Sequence, residues 1–239
     1  MADRPYTLLS CGMSLDGYLG SGTTTRLVLS NEADFDRVDG ERAASDAILV
    51  GAGTIRKDNP RLLVRSADRR AARVAKGLAP SPTKVTVTRR AELDREASFF
   101  AADGADKIVY CPSDAVSTAR GRLGSAAAVV DAGRPVTMSR VCDDLGERGV
   151  RRLMVEGGGT LHTQLLTAGL ADELQLVVAP FFVGDSSACR FVGDGRFPWN
   201  ADRRATLAEV RQIGDVVLLR YALSPRFDAD GAPVGGRDG

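Results

Sequence analysis

The stretch Leu153-Met154-Val155-Glu156-Gly157-Gly158-Gly159-Thr160-Leu161-His162 constrains this chain most. An apolar run stops at a carboxylate, three glycines follow, and helix-compatible residues resume at once. That order predicts a buried strand, a tight turn and a helix, the joint from which α/β folds are built. Glycines without Cβ atoms let a backbone approach a ligand or turn through φ > 0. The first N–H groups of the helix then face the turn and favour an anion. The stretch therefore predicts a phosphate site with Glu156 beside it, holding a polar substrate. A turn that merely needs φ > 0, with Glu156 solvated, accounts for the same residues, and both readings stand at this point.

Strand and helix signals alternate through the first three quarters of the chain. Residues 6–13 predict a central strand, and Asp16-Gly17 a turn. The polar, glycine-rich segment 20–25 predicts a mobile loop. Ser30-Asn31-Glu32 supplies a helix cap, and the helix reaches about Ala44 with Phe35, Val38 and Ala43 on its apolar side. Residues 46–50 form a second buried strand, followed by Gly51-Ala52-Gly53-Thr54, another glycine turn, and a polar corner to Leu62. Ligands of open α/β sheets bind beyond the carboxyl ends of strands. Residues 65–82 predict a surface excursion whose Arg-rich part, 69–73, is a solvated face. Strands follow at 84–88, 107–111 and 126–131, and a helix at 139–148 stopped by Gly149. The helix after the triple glycine spans 159–168. A β-rich run covers 174–179, and 185–205 is irregular. Segments 207–213 and 216–222 flank Gly214-Asp215 as a hairpin. The fold class is α/β, a mostly parallel sheet with an antiparallel C-terminal hairpin. One domain spans 1–224, and 225–239, lacking any apolar pattern, is expected to be a disordered tail.

Composition removes several functions. The net charge of +1 over 239 residues gives no basic surface for nucleic acid. No apolar run approaches the roughly 18 residues of a membrane span. Four cysteines without a CxxC pair, and no secretory leader, predict reduced thiols in the cytoplasm. A single histidine, His162, removes His-based zinc sites and a Ser-His-Asp triad, so no metal is expected. His162 itself reads as a partly exposed residue on the helix surface. There is no GxxxxGK[ST], no GxSxG and no HxE with PCxxC. Glycine turns, scattered carboxylates and few nucleophiles suit hydride transfer, where a cofactor carries the reactive group. Arg89-Arg90 at a strand end reads either as a grip on a 2′-phosphate or as a solvated pair. Phe181-Phe182 and Trp199 read as core or interface.

Five motifs stand in order: Met13-Ser14-Leu15-Asp16-Gly17; Arg42-Ala43; Gly51-Ala52-Gly53-Thr54 with Asp58-Asn59-Pro60-Arg61-Leu62; Val155-Glu156-Gly157-Gly158-Gly159-Thr160-Leu161; and Gly169-Leu170-Ala171-Asp172-Glu173-Leu174 with Ala179-Pro180. Over residues 4–222 they resemble the pyrimidine reductase of riboflavin biosynthesis, the C-terminal domain of the bifunctional deaminase/reductase. That resemblance implies a dihydrofolate-reductase-like three-layer fold and a stand-alone reductase, since no deaminase precedes it here. It implies NADPH-dependent reduction of 5-amino-6-ribosylamino-uracil 5′-phosphate, with hydride added at C1′ of the ring-opened imine, by a homodimer whose interface lies on 174–182 and 207–222.

The same resemblance implies the roles of individual residues. Gly12 and Met13 would lie against the nicotinamide. Thr54 and Asp58 would contact the cofactor near its nicotinamide and ribose. The segment from Gly158 through Gly159, Thr160 and Leu161 to Gln164 would hold its phosphates. Thr88 and Arg89 would lie at the adenosine end. Thr25, Arg42, Leu62 and Arg65 would contact the substrate, the arginines its phosphate, and Glu156 its pyrimidine or ribose. Asp58 and Glu156 are the catalytic candidates, as proton donors only if burial raises a pKa; Glu156 is expected to orient instead. Relatives often carry a Ser-x-Trp before Ser30, where this chain has Thr25-Arg26-Leu27-Val28. A reductase of another pyrimidine or pterin, and a non-enzymatic nucleotide-binding protein, stay open as alternatives.

Overall fold

The computed structural model describes residues 3–23 and 27–227. Its nine strands are β1 Tyr6–Ser14, β2 Ala47–Gly51, β3 Thr83–Val87, β4 Lys107–Cys111, β5 Ala128–Asp131, β6 Arg152–Gly157, β7 Glu173–Ala179, β8 Thr206–Ile213 and β9 Val216–Ala222. They form one sheet in the order β5-β4-β3-β2-β6-β1-β7-β9-β8. Strands β1 to β7 run parallel, β9 runs antiparallel to β7, and β8 closes the edge. The mostly parallel sheet and the terminal hairpin are as the alternation of signals predicts.

The parallel strands read as continuous apolar runs because both faces are covered. Alternation divides them. Leu9, Leu49, Leu153 and Val155 pack with Val141 and Leu145 of helix α5 (Met138–Glu147) and with Leu161 and Leu165 of helix α6 (Gly159–Thr167). Leu8, Ile48, Val50 and Met154 face the other way, onto Ile55 of helix α2 (Ala52–Asp58) and Phe99 and Phe100. Each such side chain stabilises the fold by about 1.5–3 kcal/mol. Strand β6 lies between β2 and β1, so its carboxyl end is shared by both neighbours.

Helix α1 (Glu32–Ala44) starts at Asn31, whose side chain accepts from the Asp34 N–H. The apolar side expected from Phe35, Val38 and Ala43 is half-buried, and Val38 packs against the core. The fully buried residues are Asp34 and Asp39. Asp34 accepts from Ser30 and Arg37, and Asp39 from the N–H groups of Arg65 and Ser66 and from Arg69. Farther along, Glu41 accepts from Arg152 and Gln175. The helix docks through paired charges as well as Val38, and the charges are what a hydrophobic pattern does not reveal.

Two further expectations need correcting. Segment 69–73 is not a solvated face. It lies in helix α3 (Ala67–Ala75), where Arg73 is buried and donates to the carbonyls of Ala43, Ser45 and Ala79. Arg69 pairs with Asp36 and Asp39. The chain also stays packed past Ser224: Arg226 donates to Asp172 and its guanidinium reaches the Arg4 carbonyl, and Phe227 lies under Arg220. Residues 228–239 of the expected tail lie outside the described residues, as does Thr25. Helix α4 (Val116–Leu123) completes the helical set.

Candidate active site

Strand β6 ends at Gly157, at φ 133°, and Gly158 follows at φ 93°, two conformations that only glycine adopts without strain. Gly158 caps α6 with no side chain, and its carbonyl accepts from Leu161 and His162. The N–H groups of Gly159 and Thr160 therefore precede any intrahelical acceptor and are free for a ligand. A Cβ on Gly158 would stand 3.4 Å from Thr54 Oγ1, so the turn lies directly against α2. A Cβ on Gly51 would lie 3.7 Å from Leu161 Cδ1. The two glycine turns thus meet at the carboxyl ends of β2 and β6. Asp58 lies one turn beyond Thr54 on the same face of α2 and is exposed.

Glu156 and Arg42 are brought together, but with each other. Arg42 Nε and Nη2 donate to the two carboxylate oxygens at 2.5 and 2.6 Å, and Nη1 donates to the Leu63 carbonyl. Burial, which acts downward on the guanidinium, is outweighed by Glu156, which holds its pKa above the ordinary arginine value. Leu62, next to that carbonyl, is buried at φ 53°. A branched residue in the left-handed region stores strain, and such strain gathers at functional sites. The Arg65 guanidinium lies 5.6 Å over the Phe35 ring, with no carboxylate partner among the described residues.

Gly12 and Met13 are half-buried near the end of β1, and Leu29 lies 3.2 Å from where a Gly12 Cβ would be. Beyond β1, Asp16 ties this loop to the chain leaving β7. It accepts from Ser14 Oγ and from the N–H groups of Val183 and Gly184. Desolvation acts upward on its pKa, but those hydrogen bonds together outweigh it and bring it down to about 2. Val28 is exposed. At the far end Thr88 is buried and its N–H donates to the Tyr110 carbonyl, while Arg89 is exposed and Arg90 approaches Glu92 at 3.9 Å. Phe181 packs on Val177 and Val216, Trp199 lies against the core, and Phe182 is exposed.

His162 is not on the helix surface. It is fully buried against Phe191, ring centroids 5.5 Å apart, and neither ring nitrogen has a hydrogen-bond partner. Burial alone brings its pKa down to about 4. Leu161 already marks the inward side of α6, and segment 185–205, which covers the adjacent side, has no periodicity to announce it. That segment also brings residues to the site that the sequence did not single out. Loop 189–193 lies on the start of α6, where a Cβ on Gly159 would come within 2.2 Å of the Arg190 carbonyl oxygen. Between loop and helix is a cavity of about 340 Å³ lined by Gly159, Thr160, Thr163, Gln164, Cys189 and Arg190 among others.

Among the described residues no group of three or more His, Cys, Asp or Glu is placed to hold a metal ion, and no helix is long and apolar enough to cross a membrane. Residues 5–219 match the model of the RibD C-terminal domain family. The 2,5-diamino-6-ribosylamino-4(3H)-pyrimidinone 5′-phosphate reductase of Archaeoglobus fulgidus is 34% identical over 94% of this chain and 99% of its own length. Its namesake from Methanothermobacter thermautotrophicus is 33% identical over 92% and 99%. Among solved structures, a diaminohydroxyphosphoribosylaminopyrimidine deaminase/5-amino-6-(5-phosphoribosylamino)uracil reductase from Thermotoga maritima superposes with a TM-score of 0.74 at 21% identity, over 92% of this chain. This chain spans only 56% of that longer protein. The chain belongs to the RibD C-terminal domain family.

Proposed function

We propose that the protein reduces the ribosylamino group of a 5-amino-6-(ribosylamino)pyrimidine 5′-phosphate, using NADPH, as a step of riboflavin biosynthesis. The observation that carries this reading is the Gly157–Gly159 turn, packed on Thr54 and entered directly from a carboxylate that Arg42 holds in place. Membership of this reductase family implies a nicotinamide cofactor. The residues present fit one: a glycine cradle with two free N–H groups, a threonine across from it, and a row of neighbouring strand ends leading to Thr88. The exposed Arg89 and Arg90 favour the 2′-phosphorylated form, since a guanidinium matches phosphate oxygens.

The bound nicotinamide supplies the hydride, and the chain's own residues bind and orient. A carboxylate has about four lone-pair sites, and Arg42 takes two of those on Glu156. The others accept from hydroxyl or N–H groups of the substrate, so Glu156 orients. Arg65, set over the Phe35 ring and free of any carboxylate among the described residues, takes the substrate phosphate, and Leu62 forms the wall beside it. C1′ of the ring-opened imine gains the hydride with its electron pair, and the imine nitrogen gains a proton, giving the ribitylamino product. Asp58 is exposed and Glu156 is held by Arg42, so water delivers that proton.

The two archaeal relatives are named for the 2,5-diamino pyrimidinone, the longer bacterial protein for the deaminated uracil. The higher identity of the former favours the 2-amino substrate. NADPH oxidation, followed at the nicotinamide absorbance with each compound in turn, tests this. The reading predicts turnover, faster with the diamino form. Tight NADPH binding with no turnover of either would reject it and favour another heterocycle, the reading to which Val28 points. We place the protein in the cytoplasm, as a homodimer joined along the exposed edge strand β8 with Leu207 and Val210, and near Phe182. Sedimentation at micromolar concentration tests the dimer, and a monomer rejects it.

A further inference from the structure

Among the described residues Arg190 is a cation without an anion: no carboxylate pairs with it. Its guanidinium lies 4.9 Å over the Tyr18 ring and donates to the Tyr18 hydroxyl at 3.1 Å. It nonetheless lines the cavity whose other wall is the start of α6, with Gly159 and Thr160. Its backbone is held as well. Residues 17–19 and 189–191 form a short antiparallel bridge, in which Leu19 donates to the Cys189 carbonyl and Phe191 to the Gly17 carbonyl. Phe191 rests on the buried His162, and the Gly193 N–H donates to Thr163 Oγ1. A guanidinium held in place by an aromatic ring has lost its rotamer freedom before any ligand arrives, so little of that cost recurs on binding.

We propose that Arg190, held by Tyr18, is a cofactor-binding residue that clamps a diphosphate against the first turn of α6. This rests on the reading of that turn as the phosphate site and adds a charge to it. The free N–H groups of Gly159 and Thr160 supply only partial charge. An arginine on the opposite side of the cavity supplies a whole one, in the flat geometry that phosphate oxygens accept. Gly159 itself is required by this arrangement. Any side chain there would push the Arg190 backbone off the helix.

Cys189 provides a reporter independent of turnover. It is exposed and lines the same cavity, whereas Cys111 and Cys142 are buried and Cys11 is half-buried. Cys189 alkylation by iodoacetamide is followed by peptide mass spectrometry while NADPH is titrated, in the wild type, Arg190→Gln, Arg190→Lys and Tyr18→Phe. NADPH protects Cys189 in the wild type. A charge-assisted hydrogen bond contributes about 1.5–3 kcal/mol, so Arg190→Gln raises the protecting concentration about ten- to a hundredfold. Arg190→Lys restores part of the loss, and Tyr18→Phe, which removes one acceptor, gives a smaller rise. The Kd from nicotinamide fluorescence shifts in parallel. If wild-type NADPH binding is tight but Arg190→Gln leaves both readouts unchanged, the role of Arg190 is wrong while the phosphate turn stands. A rise in substrate KM with an unchanged NADPH Kd also overturns it, because the cation then serves the substrate. Failure of the wild type to bind NADPH overturns the underlying reading itself.

Discussion

Removing the Glu156 carboxylate tests both stability and mechanism. Arg42 and Glu156 retain only 12% and 13% of their side-chain exposure, so their charges are largely out of water. Deleting one partner of a buried pair costs about 3–5 kcal/mol, because the other charge is left behind. The residual exposure favours the lower end, about 3 kcal/mol for Glu156→Ala, since water partly resolvates Arg42 and the Leu63 carbonyl still accepts from it. At ~2–4 °C per kcal/mol for a chain of this size, the melting temperature falls by about 6–12 °C. Glu156→Gln keeps the shape and one acceptor oxygen and loses less. The assay is thermal unfolding of both variants together with steady-state kinetics. A residue that orients raises KM and leaves most of kcat in Glu156→Gln. A melting temperature of Glu156→Ala equal to the wild type would refute the buried-pair argument. A fall of several orders in kcat at unchanged KM would refute the orienting role and make Glu156 an acid.

Other outcomes depend on single features. His162 has a folded pKa of about 4 against an ordinary 6.5, so below pH 6.5 the unfolded chain binds the proton first. Stability falls between those values and levels off below 4, by about 3 kcal/mol in total. His162→Leu removes that part of the slope while keeping the fold, as denaturant titrations from about pH 4 to 7 would read. Gly159→Ala displaces the Arg190 backbone, so Cys189 alkylation speeds up and the NADPH Kd rises; unchanged values would mean that the loop yields freely. Asp172, fully buried, accepts from Arg4, the Thr7 N–H and Ser224 and pairs with Arg226. Asp172→Ala costs about 3–5 kcal/mol and accelerates hydrogen exchange at Thr7. Burial acts upward on Asp172, but Arg4, Ser224 and Thr7 bring its pKa down. Its contribution is therefore present above the unfolded pKa of 3.8 and lost as pH falls through the lower folded value.

Legibility in the sequence tracks physical range. Strands buried on both faces announce themselves as apolar runs, and glycines with φ > 0 announce turns, so β6, the Gly157–Gly159 turn and α6 are readable locally. Asn31 and Gly149 mark helix ends for the same reason. The docking of α1 is readable only at Val38, because Asp34 and Asp39 look like surface residues until Arg37, Arg65 and Arg69 are folded over them. Arg73 is a similar case, buried by three carbonyls that lie 6 to 30 residues away in sequence. Arg42 and Glu156 were both legible as site residues, but not as partners 114 positions apart. His162 and Arg190 depend on segment 185–205, which has no period, so neither its course over α6 nor the cavity beneath it is written locally.

The central claim is that hydride goes to C1′ of a ribosylamino pyrimidine phosphate bound beside Glu156. The most direct measurement uses NADPH carrying deuterium at the transferred C4 position of the nicotinamide, with the 2,5-diamino pyrimidine substrate, and locates the label in the product by NMR and mass spectrometry. One deuterium at C1′ of a ribitylamino product is predicted. Label on the pyrimidine ring, or oxidation of NADPH with none retained in the product, would contradict the account.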